Sequence, residues 1–323
     1  MFRRDVKDLK QEIRNLKEQI ELCQEQEMWQ PNTPLETVPL GTNEKDNLIH
    51  EPLVHPVRET GVHHADMGLI DFDRGRKLHG TRGYILNAQV ARLGRKLADF
   101  ALDYYADQGF EEVGLPLLVN EDIAYATGHL PKFADEMFKT QDNQFLIPTA
   151  EMPLTGMHKD ENLREPKQYV AFTPCFRREK IAYGKDNKGI KRVHCFNKIE
   201  LYIICTPEEV EQKHLWLLDT ILGLIKALKL PHRIVELCTG DLGFAAAKTY
   251  DIEVYTPGNQ EWMEVASVTN CTDFQAKRAN IKLNGKYANT LNGTGLAVER
   301  ILIALLENNQ DIDDIFELIK RWE

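Results

Sequence analysis

The chain has 323 residues, of which 42% are hydrophobic, and a formal net charge of -10 at pH 7. This length can form one large domain with an appendage, and the sequence contains no apolar run long enough for a membrane span. The N-terminus, MFRRDVKDLKQ, lacks a secretion signal, and the six cysteines include no CxxC pair. These features favour a cytoplasmic protein with reduced thiols and without a structural zinc site.

Residues 4–27 are predicted to form an amphipathic helix. Its apolar seam repeats in steps of three and four, through Val6, Leu9, Ile13, Leu16, Ile20 and Cys23. Residues 30–57 carry five prolines and no helical period, so we expect an extended linker there. A lone helix of this length is marginally stable. The seam therefore predicts a partner, which is another chain, the body of the domain or a helix absent from this sequence.

The pattern then alternates between helices and strands. We expect a short helix within 65–80, a clear amphipathic helix over 87–108, and a strand over 109–120. Pro116 inside that strand indicates a sheet edge or an interface. A helix and a loop are expected within 121–139.

The second half of the chain is richer in strands. Residues 144–155 place Thr149, Ala150 and Glu151 at a strand end. Further predicted elements are a helix at 207–229, a strand at 232–238, a turn, a small-residue helical turn and a strand within 239–257, a strand at 261–269, a helix at 271–281, and a Gly-rich turn leading into a buried helix within 291–310. Because hairpins join several strands, we expect an α+β fold with an antiparallel sheet.

The stretch from Phe176 to Glu200 is strongly basic within an acidic chain. Its cations are Arg177, Arg178, Lys180, Lys185, Lys188, Lys191, Arg192 and Lys198. Flanking apolar alternation predicts two strands joined by a long cationic loop, which suits a polyanion or is simply a solvated hairpin tip. Arg177 can hold a phosphate and a carboxylate together. Glu179 and Glu200, expected on the two strands, can receive an amino group.

Two further charged residues, Glu264 and Arg300, have a sequence context that allows a role in binding. Glu264 and Ser267 lie three residues apart on a predicted strand and can hold Mg²⁺ beside phosphate oxygens, or form an ordinary polar strand face. Arg300 lies on an otherwise apolar helix, and a buried Arg needs an anionic partner. That partner is either the adjacent Glu299 or a nucleotide triphosphate.

Four segments in order resemble the class II aminoacyl-tRNA synthetases, and among them the seryl-tRNA synthetases. They are PTAE, FRRE to KIE, LCTGDLGFAAAKTYDIEVYTPG and LNGTGLAVER. The match runs from about residue 30 to the end of the chain. GLPLLVN resembles the first class II motif, FRRE to KIE the second, and GTGLAVER the third. The resemblance implies a class II catalytic domain over 65–323 and a homodimer formed through the Pro116 region.

The resemblance also implies the substrates ATP, L-serine and tRNA(Ser), with tRNA(Sec) as a further acceptor and Mg²⁺ as cofactor. Arg177 would bind the α-phosphate and the serine carboxylate, and Arg300 the γ-phosphate. The implied ATP site is Arg177, Arg178, Glu179, Val193, His194, Cys195, Phe196, Glu264, Val265, Ala266, Ser267 and Arg300. Within it, Phe196 would stack on adenine, Glu179 would receive its amino group, and Glu264 and Ser267 would hold Mg²⁺. The implied serine site is Thr149, Ala150, Glu151, Arg177, Glu200 and Thr294.

The sequence departs from the family pattern at several positions. Lys180 and Ile181 replace a small Ala-Gly pair, Cys195 replaces a Gln, and Ala266 replaces a common Ser. The family carries a two-helix coiled-coil arm that reads the variable arm of serine tRNA. Residues 1–29 resemble the last part of its second helix, followed by a linker over 30–64. We therefore expect serine activation, with weakened tRNA recognition.

Two other hypotheses remain at this point. An amino-acid ligase that charges a carrier protein would resemble a zinc-dependent branch of the family, and the absence of a Cys/His cluster and the presence of Thr294 disfavour it. A non-catalytic paralogue that binds nucleotide or tRNA predicts the loss of Arg177, Glu200 or Arg300, and the sequence has all three.

Overall fold

The computed structural model describes residues 9–17, 19, 26–50, 54, 58–180, 188–309 and 311–320. The helices are α1 (Phe72–His79), α2 (Ala88–Asp107), α3 (Glu121–Ala126), α4 (Glu151–Gly156), α5 (Val210–Ala227), α6 (Phe274–Ala279), α7 (Val298–Asn308) and α8 (Ile312–Lys320). The strands are β1 (Leu48–Ile49), β2 (Ile70–Asp71), β3 (Ile85–Leu86), β4 (Glu111–Glu112), β5 (Leu118–Val119), β6 (Phe145–Leu146), β7 (Asn162–Leu163), β8 (Lys167–Phe176), β9 (Cys195–Cys205), β10 (His232–Glu236), β11 (Lys248–Thr256), β12 (Glu261–Asn270), β13 (Lys282–Leu283), β14 (Lys286–Tyr287) and β15 (Asn289–Ala297). None of the described helices has the length and apolarity needed to cross a bilayer.

An eight-stranded sheet organises the molecule. Its strand order is β1-β10-β11-β12-β15-β9-β8-β4. Every neighbouring pair is antiparallel except β4 and β8, which run parallel. The expected α+β fold with an antiparallel sheet is thus confirmed. The β8–β9 hairpin predicted around the basic stretch is present, with Phe176 opposite Cys195.

Helices α2, α5 and α7 cover the sheet through one hydrophobic cluster. Leu97, Leu217 and Ile301, one from each helix, are fully buried there together with Ile199 and Leu201 of β9. Successive side chains of a strand point to opposite faces. Lys198 and Glu200, which alternate with Ile199 and Leu201, therefore lie on the other face of β9.

The Gly-rich segment LNGTG forms part of strand β15, so the predicted turn was wrong. Its glycines serve close packing between the sheet and the helices. A Cβ atom at Gly293 would lie 2.8 Å from Ile221 Cδ1, and one at Gly295 would lie 2.7 Å from Tyr105 Cε2. Thr294, between the two, faces away from those helices.

Three other predicted elements differ from the structure. Residues 109–120 form the two short strands β4 and β5, and Pro116 lies between them because it has no N–H to donate to a ladder. The small-residue helical turn within 239–257 is absent, since residues 239–247 form turns. Glu151 begins helix α4 and does not end a strand.

Residues 9–17 are helical as expected. Leu9, Ile13 and Leu16 are 55%, 51% and 51% exposed, while Val6, Ile20 and Cys23 of the same seam lie outside the described residues. The segment after this helix is fastened to the body of the molecule. The Asn32 side chain donates to the carbonyl oxygens of Ala245 and Cys271, at 2.9 and 2.8 Å.

Candidate active site

The basic hairpin is closed just beyond its strands by Arg177 and His194. The Arg177 N–H donates to the His194 carbonyl oxygen at 2.9 Å, and His194 Nδ1 donates back to the Arg177 carbonyl oxygen at 3.0 Å. The Arg177 side chain donates from Nε to the Pro148 carbonyl oxygen at 3.2 Å, and its Cζ lies 5.1 Å from the centre of the Phe196 ring. These contacts orient the guanidinium group. Residues 181–187 of the predicted loop, with Ile181, lie outside the described residues.

A cavity opens beside this hairpin, and we call it the hairpin cavity. The predicted site residues that line it are Arg177, Glu179, Val193, Phe196, Glu264, Val265, Thr294 and Arg300. Residues that the sequence analysis did not assign also line it, namely Ile190, Lys191, Arg192, Lys198, Ala297 and Glu299. The hairpin and helix α7 therefore bring two guanidinium groups to one cavity.

Arg300 pairs with Glu264 and not with its neighbour Glu299. The distance from Arg300 Nη1 to Glu264 Oε2 is 3.2 Å. Glu299 instead accepts hydrogen bonds from the Tyr84 hydroxyl at 2.8 Å and from the Asn197 N–H at 2.9 Å. The hypothesis that Glu299 is the partner of Arg300 was wrong, because those two donors hold its carboxylate.

A second cavity shares Glu264 with the first, and we call it the acidic cavity. Among the predicted site residues, Glu151, Glu264 and Ser267 line it, and Glu264 lines both cavities. Desolvation would raise the pKa of Glu264, but the charge and hydrogen bond of Arg300 hold that pKa below its usual value. Glu264 thus stays ionised at the junction of the two spaces.

Asp251 of β11 also lines the acidic cavity and was not predicted. Its Oδ1 atom is buried without a hydrogen-bond partner among the described residues. Burial, together with the nearby negative charge of Glu264, raises the pKa of Asp251 well above its usual value. Asp251 lies opposite Ser267 in the β11–β12 register. Hard oxygen atoms grouped in this way are typical ligands for Mg²⁺.

Thr149, Lys198 and Glu200 form a buried polar cluster. The Thr149 hydroxyl donates to Glu200 Oε2 at 2.9 Å, and Lys198 Nζ donates to Thr149 Oγ1 at 2.8 Å. Lys198 also forms an ion pair with Glu200. Lys198 was not predicted as a site residue. Its position two residues before Glu200 on a strand was the available signal, since such residues share a face.

Glu151 is held by two amide side chains. Gln275 Nε2 and Asn292 Nδ2 donate to Glu151 Oε1 at 2.6 and 3.0 Å. Burial, with a contribution from the charge of Glu200, raises the pKa of Glu151 to about 7. Neither amide was predicted, although Asn292 lies two residues before Thr294 and so shares its strand face.

The remaining predicted residues line neither cavity. Arg178 Cζ lies 5.9 Å from the centre of the Phe138 ring, and Cys195 is exposed. Ala150 and Ala266 are buried in hydrophobic clusters, so their side chains offer no polar group. Glu179, which does line the hairpin cavity, lies beyond the end of β8 and not on the strand as expected, with its carboxylate 3.6 Å from Arg192 Nη1.

Comparison with known proteins agrees with the family that the motifs resemble. Residues 133–309 match the tRNA synthetase class II core domain (G, H, P, S and T). The chain is 47% identical to a serine–tRNA ligase of Kosmotoga olearia, covering 88% of this chain and 70% of that protein. It is 45% identical to a serine–tRNA ligase of a Sulfurihydrogenibium species, covering 90% of this chain and 73% of that protein.

Comparison with solved structures also finds seryl-tRNA synthetases. The crystal structure of seryl-tRNA synthetase from Pyrococcus horikoshii complexed with ATP superposes with a TM-score of 0.90 at 34% identity, covering 97% of this chain and 79% of that one. The crystal structure of A. aeolicus tRNASec in complex with M. kandleri SerRS shares the fold, with a TM-score of 0.67 at 19% identity, over 99% of this chain and 69% of that one. The identities and the coverage establish that the chain belongs to the serine–tRNA ligase family of class II aminoacyl-tRNA synthetases.

Proposed function

We propose that the chain activates L-serine with ATP, releasing pyrophosphate, and transfers the seryl group from the adenylate to tRNA(Ser). The observation that carries this proposal is the convergence of Arg177 and Arg300 on the hairpin cavity, which Thr294 also lines. Serine-dependent exchange of pyrophosphate into ATP tests the first step. Charging of tRNA(Ser), with its variable arm present or deleted, tests the second step and its selectivity.

Nucleotide binding is assigned to the hairpin cavity. Arg177 would contact the α-phosphate and Arg300 the γ-phosphate, exchanging its ion pair with Glu264 for the phosphate. Phe196 would form one wall of the adenine slot together with the backbone of 193–195. Glu179 would receive the adenine amino group. In support, the relative from Pyrococcus horikoshii was solved with ATP, and a cytoplasmic serine–tRNA ligase from Naegleria fowleri, 26% identical, was solved with AMP.

Serine binding is assigned to the polar groups next to that cavity. Thr149 and Glu151 would hold the ammonium group, and Glu200 and Thr294 would face the hydroxyl group. Alanine would leave these buried polar groups unpaired, which is the strongest form of substrate rejection available to a small pocket. Threonine adds one methyl group, so its exclusion depends on the volume of the pocket.

The first step needs no nucleophilic side chain. A serine carboxylate oxygen attacks the α-phosphorus, a new P–O bond forms, and the bond to the departing pyrophosphate breaks on the opposite side. Arg177 would orient the attacking carboxylate against the α-phosphate and neutralise charge that builds there. Catalysis is then positioning plus electrostatic stabilisation. In the second step a ribose hydroxyl of the tRNA attacks the seryl carbonyl carbon, and AMP leaves.

The residues that line the acidic cavity fit a magnesium ion. Glu264 and Ser267 supply oxygen atoms, and the unpartnered Oδ1 of Asp251 supplies a third. We assign Mg²⁺ to these groups, where the ion would offset the repulsion between the two carboxylates and neutralise phosphate charge when bound.

We further propose a cytoplasmic homodimer formed through the region around Pro116. Leu118 on β5 and Phe172 on β8 each keep 40% of their surface exposed, which supports an apolar contact on this side. Sedimentation at micromolar concentration tests the proposal, and a monomer alone would contradict it.

The proposed domain division is an arm segment at 1–29, a linker at 30–64 and a catalytic domain at 65–323. The half-exposed seam of Leu9, Ile13 and Leu16 supports an arm that lies apart from the core. The linker would be extended yet anchored, since Asn32 binds backbone carbonyls of the catalytic domain and β1 extends its main sheet.

A further inference from the structure

A buried polar pair lies outside the proposed substrate contacts. His64 and Glu307 both have fully buried side chains, and His64 Nδ1 lies 2.7 Å from Glu307 Oε1. Because a carboxylate accepts, Nδ1 carries the proton. His64 Nε2 in turn accepts a hydrogen bond from the Ile190 N–H at 3.1 Å. The two contacts together require the neutral ring with its proton on Nδ1.

Glu307 is equally occupied. Its Oε1 also accepts from the His64 N–H at 3.1 Å, and its Oε2 accepts from the Gly258 N–H at 2.8 Å. His63, His64 and Glu307 lie close enough together to hold a metal ion. However, His64 Nδ1 carries the proton, the lone pair of His64 Nε2 accepts from Ile190, and Glu307 Oε1 already accepts two hydrogen bonds. The geometry points to a hydrogen-bonded joint and not to a metal centre.

The hydrogen-bonded pair of His64 and Glu307 holds the part of the basic hairpin that leads into strand β9. Ile190 is fully buried, and Ile190, Lys191 and Arg192 all line the hairpin cavity. Gly189 has a φ of +87°, and a Cβ atom there would collide with His64 Nε2. The backbone at Gly189 therefore packs directly against the His64 ring. The segment before the first class II motif therefore supports one wall of the cavity.

Neighbouring contacts strengthen this support. Arg82 Nη1 donates to the Arg192 carbonyl oxygen at 2.8 Å. Lys188 Nζ lies 2.7 Å from Asp66 Oδ2. Residues 188–192 thus meet the segment 64–82 through a ring nitrogen, a guanidinium group and an ion pair. Of these contacts, the buried hydrogen bond from Ile190 to His64 is the one that also connects to α7, because His64 in turn contacts Glu307.

We propose that His64 is a positioning residue for nucleotide binding. Helix α7 carries Arg300 near its start and Glu307 near its end. The His64 ring links that helix to the hairpin that carries Arg177, so it holds the two arginine-bearing elements in register before ATP arrives. Preorganised charges act without a reorganisation cost at the moment of reaction. This proposal rests on the proposed function, because it assigns ATP to the hairpin cavity.

Two isosteric substitutions separate the two hydrogen bonds. His64→Gln places an acceptor near the position of Nε2 and keeps the bond to Ile190, whereas His64→Asn keeps a donor for Glu307 and loses Ile190. In serine-dependent pyrophosphate exchange, we expect His64→Asn to raise the KM for ATP about ten-fold, since one buried hydrogen bond is lost. We expect a comparable rise in His64→Gln, because this variant loses the donor to Glu307 and so breaks the link between the hairpin and α7 at its other end. The KM for serine should rise less than the KM for ATP in both variants, because Thr149, Glu151 and Thr294 of the proposed serine site lie outside the hairpin that His64 supports.

His63→Asn is the matched control. His63 Nδ1 accepts from the Ala65 N–H at 3.1 Å, a capping role that Asn also performs. This variant should match the wild type. Arg82→Gln, which removes the support at Arg192, should reproduce the rise in the KM for ATP if His64→Asn does not fold. An unchanged KM for ATP in both His64→Asn and His64→Gln, or an equally large rise in the KM for serine, would overturn the proposal.

A second readout does not depend on activity. Amide hydrogen exchange of residues 188–195 in the unliganded protein should be about ten-fold faster in His64→Asn than in wild type or His64→Gln, because the Ile190 N–H has lost its acceptor. Unchanged protection would contradict the role of His64. Absence of serine-dependent exchange in the wild type with normal protection of Ile190 would instead contradict the proposed function alone.

Discussion

Arg300 Nη1 lies 3.2 Å from Glu264 Oε2 and donates a hydrogen bond of 2.7 Å to the carbonyl oxygen of the same residue. This pair joins helix α7 to strand β12 at the boundary between the hairpin cavity and the acidic cavity. The guanidinium group is therefore oriented before any substrate binds. A phosphate that binds Arg300 has to compete with a carboxylate that belongs to the proposed magnesium site.

The first prediction concerns Arg300. Replacing it with Met should lower kcat/KM for ATP in pyrophosphate exchange by about 10²-fold, because one oriented charged donor is lost. The KM for serine should change little. Arg92→Met is a suitable control, since Arg92 stacks on Phe316 and lines neither cavity. Unchanged ATP kinetics in the Arg300 variant would contradict its assignment.

The second prediction separates charge from shape at Arg177. Arg177→Lys keeps the charge but loses the planar fork that would hold a carboxylate and a phosphate together. We expect a fall in kcat of ~10²–10³-fold in Arg177→Lys, and a similar or larger fall in Arg177→Ala. Thermal melting should accompany both measurements, because Arg177 also binds the Pro148 carbonyl oxygen. If Arg177→Lys kept nearly full activity, a bidentate role would be wrong.

The third prediction follows from the raised pKa of Glu151. A carboxyl group with a pKa of about 7 is partly protonated at neutral pH, and the serine ammonium group would bind its ionised form. The KM for serine should therefore increase as the pH falls below 7, by up to about ten-fold per pH unit, and level off above it. In Glu151→Gln the KM should be high and lose this pH dependence. A wild-type KM that is flat across neutral pH would count against the role of Glu151.

The fourth prediction concerns Asp251. Its raised pKa means that ionisation of the buried carboxyl group opposes folding as the pH rises above the usual range for Asp. Asp251→Asn removes that charge, so in metal-free buffer at neutral pH the variant should melt at a higher temperature than the wild type. The same variant should need more Mg²⁺ for pyrophosphate exchange. Asp273→Asn, which removes a surface ion pair with Lys277, is the control and should leave the Mg²⁺ requirement unchanged.

Sequence periodicity predicted the parts of the fold that have a local signal. Alternating apolar residues gave the β8–β9 hairpin, and the helical period gave α2 and α5. The strand character of LNGTG was hidden, because glycine is usual in turns and the reason for Gly293 and Gly295 is the approach of side chains from distant helices. No local pattern could show which residues those would be.

The candidate site was likewise predicted where the sequence carries a local signal and missed elsewhere. Charged residues within the motifs were predicted, whereas their neighbours on the same strand face, Lys198 and Asn292, were missed although a period of two pointed to them. The contact of His64 with Glu307 spans 243 residues of sequence. Only folding brings such residues together, so inspection of either segment alone could not have revealed the pair.

Exchange of labelled pyrophosphate into ATP, measured in parallel with serine, threonine, alanine and cysteine, tests the central claim most directly. We expect serine to support exchange and the other three to show kcat/KM values lower by at least about 10²-fold, because Glu200 and Thr294 would bind a hydroxyl group and the methyl group of threonine would need additional space. No exchange with serine, or equal exchange with serine and alanine, would contradict the claim.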